Sequence, residues 1–278
     1  MKSSPLIFGL ALSCCLCFRA LGDESSGLDA KSTEILGAAS AFYAGLKTFQ
    51  VEEHVVLKNS ITALQTKTET GADFHLALSR PGCFASTNQG GIMGGMLLSD
   101  GKTATAYFAF PFPAPGKKEY IASPAPADVG DLFTMSTKLK YGRVVLYTPL
   151  IESLLAKYPF APLVVAGHTS GAYVGSEKIG ETPCDHLRLT TKVGENETIT
   201  DLWFTSGAAP LLQQAETSSM MPGRTFSYTF AFSGWKTNEP VPPEQFTFTP
   251  PEGAVPVSEF SMPERKSETP PWVKKDGP

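Results

Sequence analysis

The sequence predicts an α+β fold, a long antiparallel sheet that is wet on one face and covered by a few helices on the other. Three observations predict it. Several segments alternate apolar and polar residues one by one, which is the period of a strand. Only a few segments carry helical spacing. No βαβ unit repeats along the chain, which argues against a doubly wound nucleotide-binding fold. The roughly 230 residues between the two chain ends suffice for one domain with a sizeable core, and no internal repeat divides them.

The elements follow in chain order. Lys2 and the apolar run Pro5 to Phe18 precede "ALG" at Ala20 to Gly22 and the polar "DESS". This reads as a secretory signal peptide over residues 1–22, cleaved after Gly22. Read instead as a lipoprotein signal, it would place lipid on Cys14, but the preceding "ALS" fits a lipobox poorly. No later stretch is long and apolar enough for a membrane-spanning helix, so no integral membrane protein is expected. "STEILGAASAFYAGL" sets Ile35, Ala38, Phe42 and Leu46 on one helical stripe that stops near Gly45.

Strands come next. In "FQVEEHVVL", Phe49, Val51, Val55 and Leu57 face one way, and Gln50, Glu52 and His54 the other. In "ADFHLALS", Phe74, Leu76 and Leu78 oppose Asp73, His75 and Ser79. Asp100-Gly101 suggests a hairpin with a type I′ turn, which needs positive φ at both central residues. A helix is expected within "PADVGDLFTMSTKL", and another over "LIESLLAKY", opened by Thr148 as N-cap and Pro149 at N1. The clearest strand is "RTFSYTFAF", with Phe226, Tyr228, Phe230 and Phe232 on one face. "QFTFTPP" reads as a last short strand ended by prolines. Beyond Val257 the chain is rich in charge and proline with no apolar period, so residues 258–278 read as a disordered tail.

Charge and cysteine usage exclude several functions. The formal charge is −4. Removing residues 1–22 takes away Lys2 and Arg19 and no acid, so the mature chain is more acidic still. This argues against nucleic acid and anionic lipid surfaces as partners. Three of the five cysteines, Cys14, Cys15 and Cys17, lie in the signal. Cys83 and Cys184 remain: too few for a disulfide framework or a four-cysteine zinc site, though enough for one bridge if they meet.

"PCDHLRL", Pro183 to Leu189, is the segment that most resembles chemistry. Its strand period puts Cys184, His186 and Arg188 on one face, and Asp185, Leu187 and Leu189 on the other. Asp185 therefore cannot relay charge to His186. A reactive thiolate at Cys184 would need a neighbouring cation such as Arg188 in a pocket, and three polar side chains on one strand also make an ordinary outer face. "GHTSG" at Gly167 to Gly171 misplaces the serine of a nucleophile elbow, and "GGIMGG" at Gly90 to Gly95 lacks the lysine of a P-loop. No metal, no cofactor and no enzyme activity are expected.

The blocks "AFYAGLKTFQVE", "LALSRPG", "LLSDGKTATAYF", "YVGSEKIGETPCDHLRL", "DLWFTSGAAPLL" and "FSGWKTNEPVPPEQFTFTPPEGA" resemble, in order and spacing, a family of predicted periplasmic bacterial proteins of unknown function. Its members resemble the outer-membrane lipoprotein carriers in fold. The likeness spans roughly Lys31 to Val257. It implies an open half-barrel over residues 23–257, with helices on the concave face, and a periplasmic location. In the carrier families that face holds acyl chains under a helical lid. The corresponding expectation is a carrier or sensor for an apolar ligand, a lipid or a lipoprotein acyl chain. Phe49, Val51, Phe74, Leu76, Phe226, Tyr228 and Phe230 would form the cavity wall, and Phe42 and Leu154 would belong to the lid. The other expectation is a sealed core that binds another envelope protein through loops or a sheet edge. The Pro-rich segment Pro111 to Pro126 either covers a cavity mouth or connects strands.

Overall fold

Period-two alternation becomes a sheet that never closes on itself. The computed structural model describes residues 27–61, 66–91, 95–109, 117–132, 149–221 and 223–260. The expected signal peptide and most of the expected tail lie outside these. A two-residue strand β1 (Gly27–Leu28) leads into helix α1 (Ala30–Gly45). A meander follows: β2 (Thr48–Ile61), β3 (Thr66–Ser79), β4 (Cys83–Gly91), β5 (Gly95–Asp100), β6 (Thr103–Ala109) and β7 (Lys118–Pro124). Helix α2 (Pro149–Leu155) opens the second half. A second meander follows it: β8 (Thr169–Ile179), β9 (Thr182–Val193), β10 (Asn196–Thr205), β11 (Leu212–Met221) and β12 (Arg224–Thr237). A short β13 (Val255–Pro256) ends the sheet.

The 13 strands lie in the order β1-β8-β9-β10-β11-β12-β2-β3-β4-β5-β6-β7-β13. Two helix-then-meander halves are thus joined along one seam, β12 against β2, from Arg224 opposite Ile61 to Thr237 opposite Phe49. The terminal strands β1 and β13 pair in parallel with β8 and β7 and occupy the two open edges. The result is an open half-barrel.

One face of the sheet packs into the main core, and α1 and α2 cover it. Helix α1 buries Ser32, Ile35, Leu36, Ala39, Ser40 and Tyr43. The buried stripe is therefore rotated from the expected one: Ala38 is exposed and Phe42 only half-buried. Tyr43 fixes the rotation. Its ring meets Phe160 and Trp235 edge-on at 5.4 and 5.7 Å, and its hydroxyl accepts the backbone N–H of Leu212 at 2.9 Å. Trp235 donates to the carbonyl of the same Leu212. Asp29 secures the other end of α1. One carboxylate oxygen caps Ser32 N–H, and the other takes Tyr173 N–H from β8, just past the residues that β1 pairs.

The opposite face is polar over β2 and β3. There His54 Nδ1 lies 2.6 Å from Asp73 Oδ1, and His75 Nδ1 lies 2.7 Å from Glu52 Oε1. The segment 241–248 covers part of this face with a second small cluster of Ala77, Ala85, Leu98 and Phe246. The expected last strand over "QFTFTPP" is not formed. Pro243–Phe246 is a 3₁₀ turn instead, because prolines before and after it lack the N–H a ladder requires. Phe246 still buries and Phe248 partly does, by lying across the sheet; Phe248 rests on Tyr107 and Tyr120.

Several further expectations are corrected. The β5–β6 hairpin is present, but only Gly101 of its two central residues has positive φ. The Asp100 carboxylate builds this turn by accepting the N–H groups of Lys102 and Thr103. Gly171 of β8 has no room for a side chain. A Cβ there would overlap the side chains of Leu28 and Leu189, so the glycine lets β1 press against β8. Gly167 and Gly175, on either side of it, have positive φ. Within "PADVGDLFTMSTKL" the described residues show a 3₁₀ turn at Val129–Asp131 that leads into an α-helical residue at Leu132; residues 133–139 of the expected helix, with Thr148, lie outside the described residues. In the Pro-rich segment, Lys118–Pro124 is strand β7. Phe260, past the expected domain boundary, is buried in the main core.

Tyr43→Phe keeps the ring and removes the side-chain partner of a buried N–H. It should cost about 1–3 kcal/mol, read as a lower urea midpoint at unchanged m-value. An unchanged midpoint would mean that Leu212 N–H is reached by water.

Candidate functional site

Strand parity assembles the concave wall. On β2, residues 49, 51, 53, 55 and 57 point inward. Their direct partners are Leu78, Leu76, Phe74, Ala72 and Thr70 on β3. Across the seam, Phe232, Phe230 and Tyr228 stand opposite Glu53, Val55 and Leu57. Of the seven expected wall residues, Phe49, Val51, Phe74, Leu76 and Phe230 are buried in the main core, while Phe226 and Tyr228 are half-exposed. Leu154 of α2 is buried and Phe42 of α1 packs at its margin. All nine residues thus belong to or pack beside one surface, apart from Phe226, which extends it beyond the core cluster. A groove of about 270 Å³ lies elsewhere, at the strand tips, lined by Lys58, Asn59, Ser60, Lys67, Thr68, Glu69, Thr225 and Ser227.

The inward row also contains an acid that the expected wall does not include. Glu53 is 4% exposed, between Phe74 and Phe232. Its Oε1 has no hydrogen-bond partner among the described residues. Burial alone pushes its carboxyl up from 4.5 to about 8, so it carries its proton at neutral pH. The signal was available: in "FQVEEHVVL", position 53 has the parity of Phe49, Val51 and Val55. A buried acid with a strongly raised pKa in a concave site is a functional candidate with a physical reason.

The outer face of β9 resolves the "PCDHLRL" segment. His186 is buried there, stacked on Trp203 at 4.2 Å. Its Nδ1 lies 2.7 Å from Glu177 Oε1 and its Nε2 lies 2.8 Å from Asp201 Oδ1. Trp203 Nε1–H donates to the same Glu177 oxygen at 2.6 Å. Arg188 donates to both oxygens of Asp201 at 2.8 and 3.1 Å, so its charge serves a carboxylate and not the thiol. Cys184 donates weakly to Thr182 O, and burial raises its thiol pKa, with Asp185 and Glu177 adding to the rise. Asp185 points to the concave side, where it accepts from Tyr173 and Ser176. The cluster is a paired, strand-spanning polar network. Cys83 and Cys184 are both free thiols. Among the described residues, no three His, Cys, Asp or Glu side chains converge as metal ligands, and no helix is long and apolar enough to cross a membrane.

Comparison with known proteins adds the following. A family model described as predicted periplasmic protein (DUF2092) matches residues 32–259. No curated protein matches the chain. Among solved structures, LprF from Mycobacterium bovis superposes with a TM-score of 0.40 at 14% identity, over 79% of this chain and 97% of that one. The lipoprotein LppX from Mycobacterium tuberculosis gives 0.34 at 15% identity, over 75% and 97%. A LolA superfamily protein from Nitrosomonas europaea gives 0.33 at 12%, over 77% and 96%.

Two outcomes test this geometry. The folded chain holds the Glu53 proton to about pH 8, and the unfolded chain releases it near 4.5. Folding therefore takes up a proton in between, and stability falls as pH rises through that window. The full step is about 5 kcal/mol. Urea unfolding at about pH 5 and about pH 8.5 should show it, and Glu53→Gln should flatten it; identical profiles would mean that Glu53 is solvated or paired in solution. Cys184, in turn, should react with iodoacetamide at neutral pH far more slowly than a free cysteine peptide. Faster alkylation would restore the thiolate reading.

Proposed function

We infer the function from one premise: this chain belongs to the DUF2092 family of predicted periplasmic proteins, whose model spans nearly all of its described residues. We propose that it is a non-enzymatic carrier or sensor. Its ligand is apolar, a lipid or a lipoprotein acyl chain held against the concave face of the half-barrel. Phe49, Val51, Phe74, Leu76, Phe226, Tyr228 and Phe230 form the wall, and the helices bearing Phe42 and Leu154 form the lid.

One observation carries this reading. The aromatic row on β12 begins in the core cluster that the helices share, with Phe232 and Phe230 at 4% and 2% exposure, and runs out half-exposed at Tyr228 and Phe226. From Phe230 outward the rings follow one another at 5.9 and 6.1 Å. An apolar track that leads from solvent to beneath a lid suits a chain-like guest. Burying about a dozen methylenes would contribute roughly 10 kcal/mol before ordering costs. That is of the order needed to offset the helix–sheet packing given up when the lid opens. The strands are held by ladders on both sides, whereas α1 and α2 reach the sheet mainly through side chains, so the helices are the part that moves.

The second reading, a sealed core that docks an envelope protein, is favoured by the burial of five wall residues in the present packing. Under that reading docking falls mainly to loops, because β1 and β13 already occupy parts of both sheet edges. Titration of the mature protein with cis-parinaric acid separates the two. Saturable binding, with changed hydrogen exchange in α1 and α2, is expected of the carrier. Binding no stronger than to a control protein, with unchanged exchange, would leave the docking module.

A further inference from the structure

The carrier reading leaves the head of the ligand unspecified, and Glu53 bears on it. The residue sits at mid-wall. Phe232 of β12 and Phe74 of β3 stand opposite it, and Val51 and Val55 flank it along β2. Tyr43 of α1 joins the neighbouring aromatic cluster through Trp235, and burial keeps its phenol neutral. Among the described residues no charged side chain contributes to the state of Glu53, which burial alone determines. The polar groups of the outer cluster around His186 are paired with one another, whereas Glu53 Oε1 lacks any such partner.

We propose that Glu53 is the polar anchor of the ligand site, donating a hydrogen bond to the carbonyl of an uncharged acyl ester or amide whose chain lies along Phe74, Phe232 and Val51. The proposal rests on the carrier reading. Its chemistry follows from what the wall lacks. A guest that is hydrocarbon throughout would leave the buried carboxyl as unpaired as it is now. An anionic head would meet an acid with no cation beside it, so a fatty acid would be held by its chain alone and more weakly than an ester of the same length. A carbonyl accepts the one proton the site has to give and brings no charge into an apolar wall.

The experiment compares two probes of equal chain length, 1-monolauroylglycerol and its ether analogue 1-O-dodecylglycerol, which lacks the carbonyl. Binding to the mature protein is read by displacement of cis-parinaric acid. The wild type should prefer the ester by about tenfold near neutral pH, and the preference should collapse in alkaline solution as the carboxyl ionises. Glu53→Leu should bring the ester down to the affinity of the ether. Glu53→Gln should remove the pH step. Both variants lose a buried acid and should fold at least as well as the wild type, checked by circular dichroism. An ester-to-ether ratio that Glu53→Leu leaves unchanged would overturn the anchor while the carrier stands. Dodecylamine binding that exceeds the ester and strengthens with pH would make the site a cation site and overturn the carbonyl assignment. Failure of every probe, cis-parinaric acid included, to bind the wild type would overturn the carrier reading and the anchor with it.

Discussion

An antiparallel sheet that does not close leaves one whole apolar face to be covered by something other than itself, and the rest of this molecule answers to that constraint. A closed barrel fills its interior from all sides. Here, among the described residues, two helices and a few 3₁₀ turns must serve a sheet of 13 strands. The chain meets the demand with large rings. Tyr43, Phe49, Phe160, Phe204 and Phe232, with Trp235, interlock, mostly edge to face. Two of them, Tyr43 and Trp235, are pinned to opposite polar groups of the same residue, Leu212. One helix is thereby held at a fixed rotation by a single backbone position on β11, and the caps at Asp29 hold its other end to β8.

Against that economy, two buried acidic residues contrast. Asp201, on the outer face, is surrounded by Arg188 and His186 and uses both carboxylate oxygens. It behaves as buried charges in stable proteins do, paired and hydrogen-bonded. Glu53, on the inner face, does neither, and its position among phenylalanines works against stability. A leucine there would pack as well at no electrostatic cost. Under the proposed carrier function, that unpaired polar atom is where an otherwise apolar wall would offer a guest its one polar contact.

Much of this was legible in the sequence because strand parity is a local rule. Phe49, Val51, Phe74 and Phe230 could be placed on one surface without knowing which strands adjoin, since each strand declares its own inner face. Glu53 obeys the same rule, although its residue type alone does not assign it to an apolar face. Other features were not local. Glu177, His186, Asp201 and Trp203 come from three strands, and only the pairing register brings them together. The rotation of α1 depends on where Leu212 presents its N–H. The packing role of Gly171 has no local signature, because the neighbour that needs the space, Leu28, belongs to a strand of two residues. The turn at Asp100 has hairpin residues but not the backbone they suggest, because a side chain supplies the hydrogen bonds.

The seam between β2 and β12 also governs when the molecule can exist at all. Its partners come from opposite ends of the chain; Thr48, at the foot of β2, donates its hydroxyl to the carbonyl of Glu239, 191 residues later. Loop closure over such a span is slow, and pairings this distant dominate the folding time of a β-rich domain. A partly emerged chain therefore has the first meander without the strand that flanks it, and no finished core. It stays threadable until its last strands arrive, which suits a polypeptide that must cross a membrane before folding. In the interval the bare flank of β2 is the surface most in need of a chaperone.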